Sequence, residues 1–157
     1  MTDRSRPLCA TFLLAVCCLL TARVAGAESI VYQGEGHSQG REMVMNLSNG
    51  NKVVVARSDG EATLDTEPQI AFDTVCFAMG LVGDQHKSRS DFYCTFREKE
   101  GENALDLKGS DTGDGARAMV VGGSGRWSGI SGEIRFNGQR NSETGKSYRY
   151  VLTVNRP

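Results

Sequence analysis

The chain has 157 residues, of which 39% are hydrophobic and 24% charged, and its formal net charge is −1. This length suits one domain with a single buried core, and the charge balance excludes a strongly basic nucleic-acid-binding protein. Glycine occurs 19 times and proline three times. Such a composition is typical of a domain with many tight turns and close backbone contacts.

The N-terminal 27 residues have the three parts of a secretory signal. Two arginines precede an uncharged apolar run at residues 8–20, and Ala25-Gly26-Ala27 supplies small residues for a signal peptidase. The apolar run is shorter than the roughly 20 residues that span a bilayer. We therefore expect cleavage after Ala27, which leaves residues 28–157 as one exported domain, periplasmic or secreted.

A lipid-anchored protein is the alternative interpretation of this segment. Leu14-Ala15-Val16-Cys17 resembles a lipid-attachment box, but Val16 stands where a small residue is preferred. Cys17 also lies inside the apolar run. Because no second long apolar segment follows, we expect no integral membrane segment after the signal is removed.

Signal removal leaves a weakly acidic domain with two cysteines. Fifteen basic and 18 acidic residues remain, so the net charge becomes −3, with no basic stripe for nucleic acid. Cys76 and Cys94 most simply form a disulfide in an exported protein, worth about 3 kcal/mol for a loop of this size. A metal pair or a reactive thiol has no His or Cys companion at ligand spacing. We therefore expect no metal and no cofactor.

The remaining chain consists of short extended segments separated by turns. Asn49-Gly50-Asn51 and Asp59-Gly60 are turn signals, and the last strand alternates apolar and polar residues most clearly. About eight strands in one domain favour a closed antiparallel barrel over a sandwich, because closure removes exposed edges. The ten extended segments from which these strands are built lie near residues 30–32, 43–47, 53–55, 62–64, 70–77, 91–97, 104–107, 116–121, 133–139 and 148–154.

Residues 120–132 form the most informative stretch. A strand runs into a glycine-rich turn, Trp127 follows, and the next strand begins at Glu133. Glycine tolerates positive φ and close backbone contact, so we predict that the chain folds back here and that Trp127 fills the end of the core. A nucleotide-binding loop is disfavoured because no helix follows. The glycines predicted to shape the turn are Gly122, Gly123, Gly125, Gly129 and Gly132.

This stretch resembles the allene oxide cyclase and dirigent superfamily, whose members carry a similar glycine-rich segment with one aromatic residue before a late strand. The likeness continues to Tyr148-Arg149-Tyr150 and covers roughly the last forty residues. Cys76 and the segment from Tyr93 to Glu102 also look like those of small exported bacterial proteins in this group. The resemblance implies an eight-stranded antiparallel barrel of calycin-like shape, and it indicates fold more strongly than chemistry.

The resemblance leaves the function open. Cyclases of the family use a buried glutamate, but no motif identifies Glu35 or Glu42 as its equivalent, and the catalytic residues stay unknown. We predict an exported barrel that binds a small apolar ligand at its mouth; a cyclase or isomerase and a structural or surface-interaction protein, including an oligomer, are the alternatives. The aromatic residues predicted to line the ligand site, or else to fill the core, are Trp127, Phe136, Tyr148 and Tyr150.

Other candidate sites are weaker. His37 and His86 lack partners at catalytic spacing, and the segment around His86 is expected to be an exposed loop. Residues 111–115 are similar to part of a calcium-binding loop, but the third acid and the terminal glutamate of such a loop are missing. Residues 98–102 are expected to be a solvated turn. Asn46-Leu47-Ser48 matches a glycosylation acceptor but lies in a predicted strand, so we treat it as chance.

Overall fold

The structure is a computed structural model that describes residues 28–83, 86–112, 115–142 and 145–157. The predicted signal peptide lies outside the described residues. Within them, no helix has the length and apolar character needed to cross a bilayer. The strands are β1 Glu28–Asn46, β2 Lys52–Leu64, β3 Ile70–Gly83, β4 His86–Glu98, β5 Ala104–Asp111, β6 Ala116–Ser124, β7 Ser131–Ser142 and β8 Gly145–Arg156, with a 3-10 turn at Gly125–Trp127 between β6 and β7.

The strands form one closed antiparallel sheet. Each strand pairs with its neighbours in sequence, and β1 pairs with β8 through a register that places Ile30 opposite Val154. This last pairing closes the sheet into a barrel. Where β1 and β8 are paired, neither strand has a free edge that another element must cover. The expectation of a closed eight-stranded antiparallel barrel is confirmed.

Alternation along each strand separates the interior from the surface. In β3, Phe72 and Thr74 are buried while Asp73 between them is exposed. The same period of two recurs in β8, where Tyr150, Leu152 and Val154 are buried. Since successive side chains of a strand point to opposite faces, one set fills the barrel and the other meets solvent.

The strands are longer than the sequence pattern predicts. Asp59 and Gly60 do not form a turn but lie inside β2, where Gly60 passes close to the backbone of β1. A Cβ on Gly60 would lie 2.2 Å from the carbonyl oxygen of His37, so glycine is required by contact rather than by a turn. His86 likewise begins a strand instead of lying in the expected loop.

The predicted disulfide is present. Cys76 of β3 and Cys94 of β4 are direct cross-strand partners with a Cα–Cα distance of 4.1 Å, and their sulfur atoms are bonded. Both residues belong to the inward-facing set of their strands, and Cys94 is buried. The bond therefore connects two neighbouring strands from inside the barrel.

Replacing both cysteines by alanine should lower the free energy of unfolding by about 3 kcal/mol, because the unfolded chain loses the constraint on its 18-residue loop. Denaturant unfolding of the double variant measures the change. Wild-type protein unfolded in the presence of a reductant is the matched control and should lose a similar amount. Equal stability of the oxidised wild type and the variant would contradict this estimate.

Candidate functional site

One end of the barrel is filled by side chains. Trp127, at the end of the 3-10 turn, is 1% exposed and packs against Tyr32 and Phe72, with ring centroids 6.3 and 6.2 Å away. Aliphatic side chains from the surrounding strands pack around it at this end. The fully buried aliphatic residues are Leu64, Leu105, Leu107, Ile134, Leu152 and Val154.

A buried carboxylate holds Trp127 in place. The Glu98 side chain is 3% exposed, and its Oε1 accepts a hydrogen bond from Nε1 of Trp127 at 2.6 Å. Nε of Arg126 lies 3.1 Å from the same oxygen, and Nδ2 of Asn103 donates to Oε2 at 2.9 Å. Each carboxylate oxygen therefore has a donor, which offsets the cost of burying the group.

Asn103 also fixes the glycine-rich turn. Its Oδ1 accepts the backbone N–H of Arg126 at 3.1 Å, and Gly125 adopts a φ of +60° directly beside it. A Cβ on Gly125 would lie 1.8 Å from that oxygen, so this position needs glycine for both conformation and space. Gly122 and Gly123 lie in β6, Gly129 has a φ of +72°, and Gly132 is buried in β7.

The other half of the barrel contains a cavity of about 650 Å³. Its floor includes Phe96, Cys94 and Thr74, which are buried, and the disulfide forms part of its wall. Small side chains of β2 and β3, including Ala56, Ser58 and Ala78, line one side. The cavity exists because these positions carry small residues where the filled end carries leucine and phenylalanine.

Three aromatic side chains, from β4, β7 and β8, form an aromatic wall in the cavity. Phe136 of β7 lies between Phe92 and Tyr148, with centroid distances of 6.1 and 5.6 Å and edge-to-face geometry in both contacts. These three rings line the cavity and are half-buried. Their mutual contacts restrict their rotation, so the wall is formed before any ligand arrives.

Two glycines of β1 make room for the tyrosine rings. A Cβ on Gly34 would lie 2.4 Å from Cζ of Tyr150, and a Cβ on Gly36 would lie 2.5 Å from Cζ of Tyr148. Tyr150 donates its hydroxyl to the carbonyl oxygen of Thr63 at 2.9 Å. Burial raises the pKa of both tyrosines, and the neighbouring Tyr148 adds to the rise at Tyr150.

The structure divides the four predicted ligand-site residues between the two halves. Phe136 and Tyr148 line the cavity. Trp127 is buried at the filled end, and Tyr150 lies beneath the aromatic wall, in contact with Phe96 and Phe136. Phe92 also lines the cavity and was not among the predicted residues, although its alternation with Cys94 and Phe96 places all three on the inner face of β4.

The acidic candidates lie elsewhere. Glu35 faces solvent, Glu42 is exposed at the cavity rim, and Asp111 lines the same rim. His37 points outward, with Nδ1 3.4 Å from Oγ of Ser147. Among the described residues, no group of three or more His, Cys, Asp or Glu side chains is placed to hold a metal ion.

Glu98 corrects the expectation of a solvated turn at residues 98–102. Its side chain belongs to the inward set of β4, two positions after Phe96, and lies in the barrel end instead of in water. Continuing the period of two past Phe96 identifies this position in the sequence. The turn that follows it, from Lys99 to Glu102, is exposed as expected.

Comparison with known proteins supports the fold. No protein-family model matches the chain, and no curated protein matches its sequence. The structure is similar to that of the pterocarpan synthase dirigent protein GePTS1, with a TM-score of 0.58, 11% identity, and coverage of 83% of this chain and 89% of that chain. For the pterocarpan synthase dirigent protein PsPTS1 the TM-score is 0.52 and the identity 14%, over 82% and 94% of the two chains.

A third solved structure is a protein of unknown function from the DUF3224 family of Shewanella oneidensis MR-1, with a TM-score of 0.48 and 12% identity, over 83% of this chain and 98% of that chain. We draw no argument from this weaker likeness. The two stronger similarities show a dirigent-like barrel fold, and their low sequence identity limits them to the fold.

Replacing Glu98 by alanine should lower the free energy of unfolding by about 1–3 kcal/mol, because the indole N–H of Trp127 and the Asn103 amide lose their acceptor inside the barrel. Glu100→Ala, in the exposed turn nearby, is the matched control and should change stability by less than about 0.5 kcal/mol. Denaturant unfolding compares the two variants. Equal effects would show that the buried contacts contribute little.

Tyrosine ionisation should lower stability at high pH. Burial raises the folded-state pKa of Tyr150 above its ordinary value of 10.0. In the unfolded chain the Tyr150 hydroxyl therefore loses its proton at a lower pH than in the folded chain, and the free energy of unfolding falls as the pH rises above 10. The ultraviolet absorbance of tyrosinate should show a component that titrates well above pH 10 and disappears in Tyr150→Phe. If the variant leaves the late component unchanged, the ring is not shielded as described.

Proposed function

We propose that this protein is an exported barrel that binds one small, largely apolar molecule in its open half. The observation that carries the proposal is the cavity of about 650 Å³, which remains beside a fully packed barrel end. Binding pockets for small molecules commonly measure 300–1,000 Å³ and combine an apolar lining with a few polar groups. The size of this cavity falls within that range, and its lining combines aromatic and small apolar side chains with polar and charged ones, Glu42, Arg57 and Lys146 among them.

The lining indicates the shape of the ligand. Phe92, Phe136 and Tyr148 offer ring faces and edges, while the small residues of β2 and β3 leave space for a flat molecule. Aromatic rings favour such a partner through stacking and edge contacts. Thr74 and Tyr148 both line the cavity, and their hydroxyl groups are polar groups to which a ligand hydroxyl or carbonyl group can hydrogen-bond.

Export is part of the proposal. The N-terminal segment has the charge and apolar pattern of a secretory signal, and the disulfide suits an oxidising compartment. A disulfide in the cavity wall would be reduced in most cytosols, which would remove the covalent connection between β3 and β4.

A cyclase or isomerase has less support. The buried carboxylate of Glu98 lies at the filled end and is paired with Trp127, Arg126 and Asn103. The acids that line the cavity, Glu42 and Asp111, lie at its rim. Fold similarity to dirigent proteins carries no chemistry at this level of identity, so binding is the function that the geometry favours.

A cavity-filling variant tests the proposal. The protein should bind the neutral fluorescent probe N-phenyl-1-naphthylamine with one site per chain and enhanced emission, because the probe is aromatic and apolar. Ala78→Phe places a ring inside the cavity beside Phe92 and should weaken binding at least about tenfold, or about 1.4 kcal/mol.

Met119→Phe is the matched control, since it adds a similar ring on the exposed outer face of β6. It should bind the probe as the wild type does. Probe binding that is unaffected by Ala78→Phe, or reduced equally by both changes, would reject the cavity as the site. Native mass spectrometry of protein purified from its exporting cell adds a direct search for a retained small molecule.

A further inference from the structure

Four strands extend beyond the rest of the barrel around the cavity. β5 ends at Asp111 and β6 begins at Ala116. Measured along the barrel axis, β1 to β4 continue for several residues beyond the β5–β6 end of the wall. We call this part the projecting sheet, and it consists of residues 39–46, 52–58, 76–83 and 86–90. One of its edges is β1 and the other is β4.

The β1 edge of the projecting sheet lies beyond the start of β8. The register between these strands places Ser38 opposite Lys146, and β8 begins at Gly145. The following segment, Glu42–Asn46, pairs with β2 on one side. On its other side, no described residue of β8 lies opposite it.

Apart from Glu42, which faces the cavity, this edge lacks the usual features that prevent strand association. Glu42–Asn46 contains no proline, lysine or bulge, and Glu42 is its one charged residue. Its apolar side chains are exposed on both faces of the sheet, with Met43 at 65%, Val44 at 52% and Met45 at 45%. An exposed apolar strand with an uncovered edge is a template for another strand.

We propose that two copies of the chain associate through this edge, in antiparallel register about Val44. This register places Val44 opposite Val44 of the second copy and Met43 opposite Met45 of the second copy. Glu42 then faces Asn46 of the second copy, so no like charges oppose each other. The edge is therefore complementary to itself, as a two-fold interface requires.

The outer surface beside this edge supports a second copy as the partner. Met43 pairs laterally with Val55 and then Met79, and Met45 with Val53 and then Leu81. Met79 and Leu81 are 63% and 53% exposed. Pairing of the two edges would join these apolar rows into one continuous strip across both copies, an arrangement that a partner with a polar edge could not complete.

Charge substitutions test both the association and its register. Sedimentation velocity on the exported protein should give a dimer mass that falls towards a monomer only on dilution. Met43→Lys combined with Met45→Lys places lysine opposite lysine twice and should weaken association at least about tenfold. Met43→Lys combined with Met45→Glu places opposite charges together and should restore the dimer.

Met119→Lys, which charges an exposed methionine on another strand, is the control and should leave the dimer intact. Far-ultraviolet circular dichroism checks that each variant keeps its β-sheet. If the Lys/Glu variant dissociates as fully as the Lys/Lys variant, the register about Val44 is wrong. A monomer mass for the wild type at all concentrations tested would reject self-association and leave the edge to a different partner.

A cysteine at the symmetry centre gives an independent readout. Residues directly opposite in an antiparallel pair have Cα atoms about 4.5–5.5 Å apart, which is within reach of a disulfide, and Cys76 and Cys94 of this chain are bonded across such a pair. Val44→Cys should therefore yield a covalent dimer under oxidising conditions that disappears on reduction. Val121→Cys, exposed on β6, is the control. Equal cross-linking of both variants would indicate random collision and count against the interface.

Discussion

The contact between Glu98 and Trp127 determines how the interior of this barrel is divided. It holds the largest side chain of the chain at one end and joins the β4–β5 turn to the glycine-rich turn after β6. With this end filled, the remaining interior space is at the other end, and that space is the cavity. A buried carboxylate with a partner for each oxygen thus contributes to architecture, although buried acids often indicate chemistry.

Much of the fold could be predicted from local pattern. The alternation of Tyr148, Tyr150 and Leu152 identified the last strand and its inner face, and the two cysteines that follow the predicted signal segment identified the disulfide. Closure followed from the number of strands and from the need to cover their edges. Each of these conclusions depends on sequence neighbours or on composition, which a single chain displays directly.

The failures share a different physical origin. Asp59-Gly60 has the composition of a turn, but in β2 the glycine accommodates the backbone of β1 across the sheet. Glu98 looks solvated beside other charges, yet its partners Trp127 and Arg126 come from a turn 28 or more positions away. Phe136 and Trp127 were both predicted to line the ligand site. Phe136 lines the cavity and Trp127 does not, because the two rings lie at different depths in the barrel. Contacts between distant segments decide all three cases, and alternation carries no information about them.

The wall around the cavity differs in height from one side of the barrel to the other. β5 ends at Asp111 and β6 begins at Ala116, and both residues line the cavity, while β1 to β4 continue beyond them, so the described part of the wall is low at these two strands. In a ring of eight strands, β5 is diametrically opposite β1. The proposed ligand would therefore have the low part of the wall on the side away from β1, so that ligand binding and the proposed association through β1 would use separate parts of the barrel.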